Sequence, residues 1–354
     1  MPSWAEAQHR DVNGPLASTD LLSAAFGGRT VHFERRRKSS TFWGPSVRLR
    51  NMLYPGFMSR LTGPSNREVT VQYEVVHDTV AVVRMNRPEY RNAQNSAMTY
   101  ALDDALYHAG NDDAVKVVVL AGNGEHFSAG HDIGTPQRDS DQPFDRRASL
   151  WWDHSAKRGA ESRYARESEV YLGMCRRWRE LPKPTIAMVH GACIAGGLML
   201  AWSCDLVVAS DDAFFADPTV RMGVPGVEYF AHPWQMSPRF AKEFLFLGER
   251  LGAQEAQQLG MINRVVPRAQ LLPYVLDMAT RISNMPSFGL ALAKRAVNQC
   301  EDLMGMRDGM DSVFGLHHLA HAHNAEVGLG SLAGHDANSM RELSKNQQPS
   351  ARQV

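Results

Sequence analysis

The feature that most constrains this 354-residue chain is a series of short, nearly unbroken apolar runs. Residues 115–122 read VKVVVLAG, residues 183–191 read KPTIAMVHG and residues 205–210 read DLVVAS. A strand with one wet face alternates apolar and polar side chains, so a continuous run such as 115–122 belongs to a sheet covered on both faces. Helical patterns lie between and after these runs: AMTYALDDALYHAGND at 97–112, EVYLGMCRRWREL at 169–181 and GLALAKRAVNQCEDLMG at 289–305. Strand–helix alternation at this spacing predicts an α/β architecture, with a helical C-terminal region from about residue 240. Ahead of it, VTVQYEVVHDTVAVVRMN (69–86) carries β-branched alternation on both sides of His77-Asp78 and predicts a hairpin.

Charge and cysteine content narrow the class. The 38 basic and 38 acidic residues cancel, so no global field draws the chain to nucleic acid or to a membrane surface. No apolar run approaches the roughly 20 residues that cross a bilayer. Cys175, Cys193, Cys204 and Cys300 form no CxxC pair, which fits a reduced compartment, and a cytoplasmic location is expected. Residues 29–60 are rich in arginine, with Glu34 as the single acid. They are compatible with a transit sequence or an anionic-surface arm. With no sustained amphipathic helix legible, they are read as part of a poorly ordered extension over 1–66.

Two glycine loops follow apolar strands: FSAGHDI (127–133) and GACIAGGLML (191–200), the second opening a helix. A helix start presents backbone N–H groups with no partner in the helix, and glycine lets such backbone approach a ligand oxygen closely. Two loops of this kind can aim two donors at one carbonyl and hold the charge that develops on it. The alternative is that Gly196 and Gly197 only permit tight helix–strand packing. Neither loop has dinucleotide-binding GxGxxG spacing.

Four segments in order carry a resemblance. NRPEYRNA (86–93), VKVVVLAGNGEHFSAGHDI (115–133), KPTIAMVHGACIAGGLMLAWSCDLVVASDDAFFADP (183–218) and LGERLGAQEAQQLGMINRVVP (247–267) resemble the enoyl-CoA hydratase/isomerase, or crotonase, superfamily over about 68–325. The resemblance implies a spiral of ββα units over 67–267, a helical oligomerisation region over 268–334 and a polar tail over 335–354. It implies assembly as trimers or dimers of trimers, in fatty acid or aromatic acid metabolism. It also implies coenzyme A as part of a thioester substrate, with no permanently bound cofactor and no metal. By position, the backbone N–H groups of His131 and Gly196 are the expected oxyanion donors. Arg91, Ala93, Ala129, Asp132 and Ile133 are expected along the coenzyme A path.

The same resemblance exposes a departure. Hydratases of this family hold water between two glutamates, and here Met199 and Thr219 stand at those positions. A positioned acid–base group contributes roughly 10²–10⁴ in rate, so two-glutamate hydration is not expected. Glu228, in VPGVEYFAHPW (224–234), is the preferred replacement base, with Asp217 and His232 as further candidates. Each has a structural alternative: Glu228 pairing with Arg221, Asp217 capping the turn at Pro218, His232 bonding backbone. Three functions stay open: a hydratase or isomerase acting through a thioester enolate, a hydrolase of C–C or thioester bonds, and an acyl-CoA-binding protein without catalysis.

Other residues draw plainer readings. The His131 side chain is dispensable if only its N–H works, His190 reads as a satisfied core histidine, and Cys193 as a small core residue. In HHLAHAH, His317 and His321 have the i,i+4 spacing of metal ligands, but no carboxylate partner is legible nearby. His317, His318, His321 and His323 are therefore assigned to an interface or solvent face. The charged stretch 137–168 is read as a surface excursion, with Trp151 and Trp152 covering the acyl pocket or a neighbouring subunit.

Overall fold

A computed structural model describes residues 69–140, 157–330 and 332–345. The expected N-terminal extension, Trp151, Trp152 and most of 137–156 lie outside the described residues.

The apolar runs form one six-stranded sheet: β1 (Val71–Val76), β2 (Val80–Met85), β3 (Val117–Gly122), β4 (Thr185–Val189), β6 (Leu206–Ser210) and β9 (Arg264–Val266), adjacent in that order. β1 and β2 are the antiparallel hairpin, closed by His77 and Asp78 at φ 50° and 59°, the left-handed pair of a type I′ turn. Every later pairing in the sheet is parallel.

Burial on both faces explains the unbroken apolar sequence. Ala81, Val83, Val118, Leu120, Ala187 and Val189 point into the main core, which also contains α1 (Ser96–Asn111). Their strand neighbours Val80, Val82, Val117, Val119, Ile186 and Val208 point the other way, onto Leu271, Val275 and Ala279. Those three belong to the first helix of the stretch expected to serve oligomerisation, so its leading part covers the sheet.

A smaller sheet holds β5 (Ala192–Ile194), β7 (Phe214–Ala216) and β8 (Leu251–Gly252). β4 runs into β5 and β6 into β7, so each turn of chain adds a strand to both sheets. Isolated bridges Ser128↔Cys193 and Gln94↔His131 bring the loops after β3 and β2 alongside this second sheet. This is the expected ββα spiral, and it gathers loops from successive turns at one edge.

Candidate active site

The site begins where β5 ends. Ala195 has φ 47° and ψ −113°, a strained conformation for a residue with a side chain, and α2 (Gly196–Trp202) starts at the next residue. The Ala195 N–H donates to Ala216 O, which pins the turn to β7. Opposite, the bridge to Gln94 uses Gly130 O and the Asp132 N–H, at 2.8 and 2.9 Å. In a parallel bridge this leaves the intervening His131 N–H pointing to the other side, toward α2. Among the described residues neither the His131 N–H nor the Gly196 N–H has a backbone acceptor. A Cβ on Gly196 would lie 2.7 Å from His131 Cε1, 2.8 Å from its Nδ1 and 3.2 Å from its backbone N, so only glycine lets the His131 ring and backbone pack this closely against the start of α2. Gly130, at φ 93°, is needed too: a Cβ there would lie 2.8 Å from Ile194 O and 3.0 Å from Gly196 N.

The His131 ring packs against the Gly196 backbone. It stacks on Tyr171 at 3.8 Å between centroids, and its Nε2 lies 3.1 Å from Glu228 Oε2. Its Nδ1 is buried and has no partner. With Nε2–H donating to the carboxylate, Nδ1 carries the lone pair. Burial by itself raises the Glu228 carboxyl, but the electrostatic pull and hydrogen bond of the His131 ring, with a further pull from nearby His317, outweigh it and hold the group well below the usual carboxylate range. Burial pushes the Tyr171 hydroxyl up and keeps it a neutral phenol. Tyr171 reaches His131 from a π-helical turn, Ser168–Gly173, between α3 (Gly159–Glu167) and α4 (Met174–Arg179). Such a turn inserts one residue into the helix and rotates the side chains after it.

Comparison with known proteins places this geometry. The enoyl-CoA hydratase/isomerase family model matches residues 76–157 and 152–312. The chain belongs to that family. EchA13 of Mycobacterium tuberculosis, named as an enoyl-CoA hydratase, is 43% identical over 267 residues, 74% of this chain and 84% of its own. A Mycobacterium smegmatis crystal structure described as an enoyl-CoA hydratase is 43% identical, with a TM-score of 0.67 over 75% of this chain and 99% of its own. The hydroxycinnamoyl-CoA hydratase-lyase of Pseudomonas fluorescens is 29% identical over 66% of this chain and 80% of its own. Members of the enoyl-CoA hydratase/isomerase family thus carry more than one reaction name at this level of similarity.

Within this family member, the sequence candidates separate. Glu228 meets His131; Arg221 instead donates to Leu247 O and Gly248 O, at 2.9 and 2.8 Å. Asp217 and His232 meet each other: His232 Nε2 lies 2.9 Å from Asp217 Oδ2, and both side chains are 0% exposed. The other Asp217 oxygen accepts from the Thr219 N–H and hydroxyl at 3.2 and 2.6 Å, so it caps its turn as the structural alternative requires. His232 bonds a carboxylate through this ring nitrogen where backbone was expected. Trp202, Phe230 and Phe244 enclose its ring. Met199 is buried in the core, and the Thr219 hydroxyl donates to Asp217.

The expected coenzyme A residues occupy two loops tied together. The Ala129 N–H donates to Arg91 O, and the Gln94 N–H to Gly130 O. Arg91 is exposed, Ala129 and Ile133 half-buried, and Ala93 buried. Asp132 is not open to a ligand through its carboxylate. It is buried, takes Arg87 Nη2 at 3.1 Å, and accepts the Thr135 N–H and hydroxyl at 2.9 and 2.5 Å. Arg87, fully buried, also donates to Ala93 O and Gln137, and so fixes this rim. His190 bonds Gly124 O at 3.1 Å, and burial brings it down to about 4, as a core histidine should be. Cys193 is buried and burial pushes its thiol up, which fits the small core residue expected.

Two expectations need correction. His317 and His321 lie on neither an interface nor a solvent face: on α5 (Met306–Glu326) they continue the buried stripe Met306, Met310, Phe314. His317 Nε2 lies 3.8 Å from Glu228 Oε1, beside the site, while His323 is exposed. The end of the charged excursion is also interior: Ala165, Arg166 and Glu167 are buried in α3. Its dense charge looks like a solvated surface, whereas Glu167 faces the α5 histidines.

Proposed function

We propose that the chain is an acyl-CoA isomerase that moves a double bond through a thioester enolate, with His131 carrying the proton. The observation that carries this reading is a single imidazole, anchored by a buried carboxylate, against two unpartnered backbone N–H groups. The thioester oxygen takes the His131 and Gly196 N–H groups, which are worth roughly 2.7–4 kcal/mol each to developing negative charge in a dry site. His131 Nδ1 removes a proton from carbon, the electron pair delocalises onto the thioester oxygen, and the same nitrogen returns the proton at a different carbon. Glu228 holds the ring by its Nε2–H and stabilises the imidazolium that forms. One proton carrier suffices for this shift, whereas the two-carboxylate water site is replaced by Met199 and Thr219. Coenzyme A enters as part of the substrate, along the rim of Arg91, Ala93, Ala129 and Ile133, with Asp132 holding that rim through Arg87. Self-association as a trimer or dimer of trimers completes the reading. Phe288, Val297, Leu303 and Leu319 supply exposed apolar surface for it on C-terminal helices.

A screen of 2-enoyl- and 3-enoyl-CoAs with short, medium and aromatic acyl groups tests the reaction. The expected result is interconversion of positional isomers, resolved by chromatography. Products heavier by one water, without isomers, establish hydration instead; free acid or a cleaved carbon chain establishes the hydrolase; binding without turnover establishes the non-catalytic protein.

A further inference from the structure

Behind Glu228 lies a second cluster that this chemistry does not use. α5 presents His317 and His321 one turn apart on its buried face, and α3 brings Glu167 to meet them. His317 Nε2, His321 Nε2 and a Glu167 carboxylate oxygen all lie within 4.8 Å of one another. We propose that these three side chains form a binding site for a divalent transition-metal ion of the zinc class.

The first support is spacing. The two imidazole nitrogens are 2.9 Å apart, and Glu167 Oε2 is 3.7 Å from His317 Nε2. Two nitrogen ligands at about 2.0–2.1 Å from one zinc ion, at right to tetrahedral angles, stand about 2.9–3.4 Å apart. The histidine pair already has that separation, and ligands on one such ion are at most about 4.2 Å apart, so Glu167 needs a movement of under about 1 Å.

The second support is the state of the donor atoms. His317 Nδ1 lies 2.9 Å from Gly226 O, so its N–H donates there, which sets the tautomer and leaves the Nε2 lone pair facing His321 Nε2–H, whose proton a bound metal ion would displace. An imidazole held by its far nitrogen on a carbonyl is the usual outer-shell support of a metal-bound histidine. Glu167 Oε2 is buried and receives no hydrogen bond, although His318 Nε2 is 3.2 Å away. A buried carboxylate oxygen without a donor costs free energy that a cation relieves. Glu228 Oε1, 3.8 Å from His317 Nε2, adds a second carboxylate to the field around the site. Two imidazoles and one carboxylate suit zinc, cobalt, nickel or ferrous iron better than calcium or magnesium, which prefer all-oxygen sites.

Metal binding needs no acyl-CoA, so its test is separate from that of the isomerase reading. Tag-free full-length protein, stripped with a chelator, is titrated near neutral pH with Zn²⁺ by calorimetry and with Co²⁺ by visible absorption. The expected result is one saturable site with a Co²⁺ ligand-field band. Glu167→Gln and His321→Gln should each weaken Zn²⁺ by about ten-fold or more, and His323→Gln, on the exposed face of the same helix, should not. Circular dichroism confirms that each variant is folded, and near-isosteric Glu167→Gln keeps the test meaningful if His321→Gln is not. The proposal is overturned by a wild type without saturable binding, by Glu167→Gln binding as tightly as wild type, or by His323→Gln losing as much as His321→Gln.

Discussion

The molecule contains two histidine–carboxylate pairs of nearly equal geometry, His131–Glu228 at 3.1 Å and His232–Asp217 at 2.9 Å. Their environments differ. The first has a histidine 18% exposed and a carboxylate 5% exposed; both side chains of the second are 0% exposed. His131 keeps one ring nitrogen beside the Gly196 backbone, whereas aromatic rings wall in His232 and Asp217 is saturated by Thr219. The same chemical pair thus stands once beside the Gly196 backbone, where the proposed mechanism uses it, and once sealed in a turn. Hydrogen-bond distance does not separate the two pairs; burial does.

Exchanging the perturbation between the pairs is the strongest way to break this comparison. His131→Ala retains the backbone N–H and removes the ring, and turnover should fall by about 10²–10⁴ in steady-state assays. The melting temperature should stay close to wild type. Asp217→Ala should do the reverse: leaving His232 buried without its partner costs about 3–5 kcal/mol in denaturant unfolding. Equal loss of stability in both variants would erase the distinction.

Next in size is Gly196→Ala, which drives a methyl group against the His131 ring and backbone N. Turnover should drop by about 10²–10³, as for loss of one oxyanion donor, with the far-UV spectrum unchanged. A variant that keeps full activity would remove the backbone from the proposed mechanism.

The smallest effect concerns acid. Burial raises the Asp217 carboxyl, but the hydrogen bond and charge of His232 and the two Thr219 donors outweigh it, so the folded group is held below its ordinary value. A depressed carboxyl contributes stability that is fully present above its unfolded value of about 3.9 and is lost as pH falls through the folded one. Thermal melts below about pH 4 should therefore fall more steeply for wild type than for Asp217→Asn. Parallel curves would show that the pair carries no proton linkage.

The hairpin, the buried parallel strands and the GG turn were legible because they follow from local pattern. A two-sided sheet needs unbroken apolar runs, His77-Asp78 are residue types that accept the left-handed region, and the close packing of α2's start on His131 needs Gly196. The His131–Glu228 contact was not legible as a pair. It joins residues 97 positions apart, and the resemblance identified only the His131 N–H and a loose set of carboxylates. The α5 histidines show the limit most clearly. Their i,i+4 spacing was visible, but which face it occupied depended on Met306, Met310 and Phe314 packing inward, and on a glutamate supplied by α3.

The family and the ββα spiral could be read from the chain alone, because both follow from residue pattern along it. It took the folded chain to set His131 against Gly196 and Glu228, to commit Asp217 to a turn and to bury Glu167. Those outcomes depend on burial, and burial is set by what distant parts of the chain place on either side of each residue.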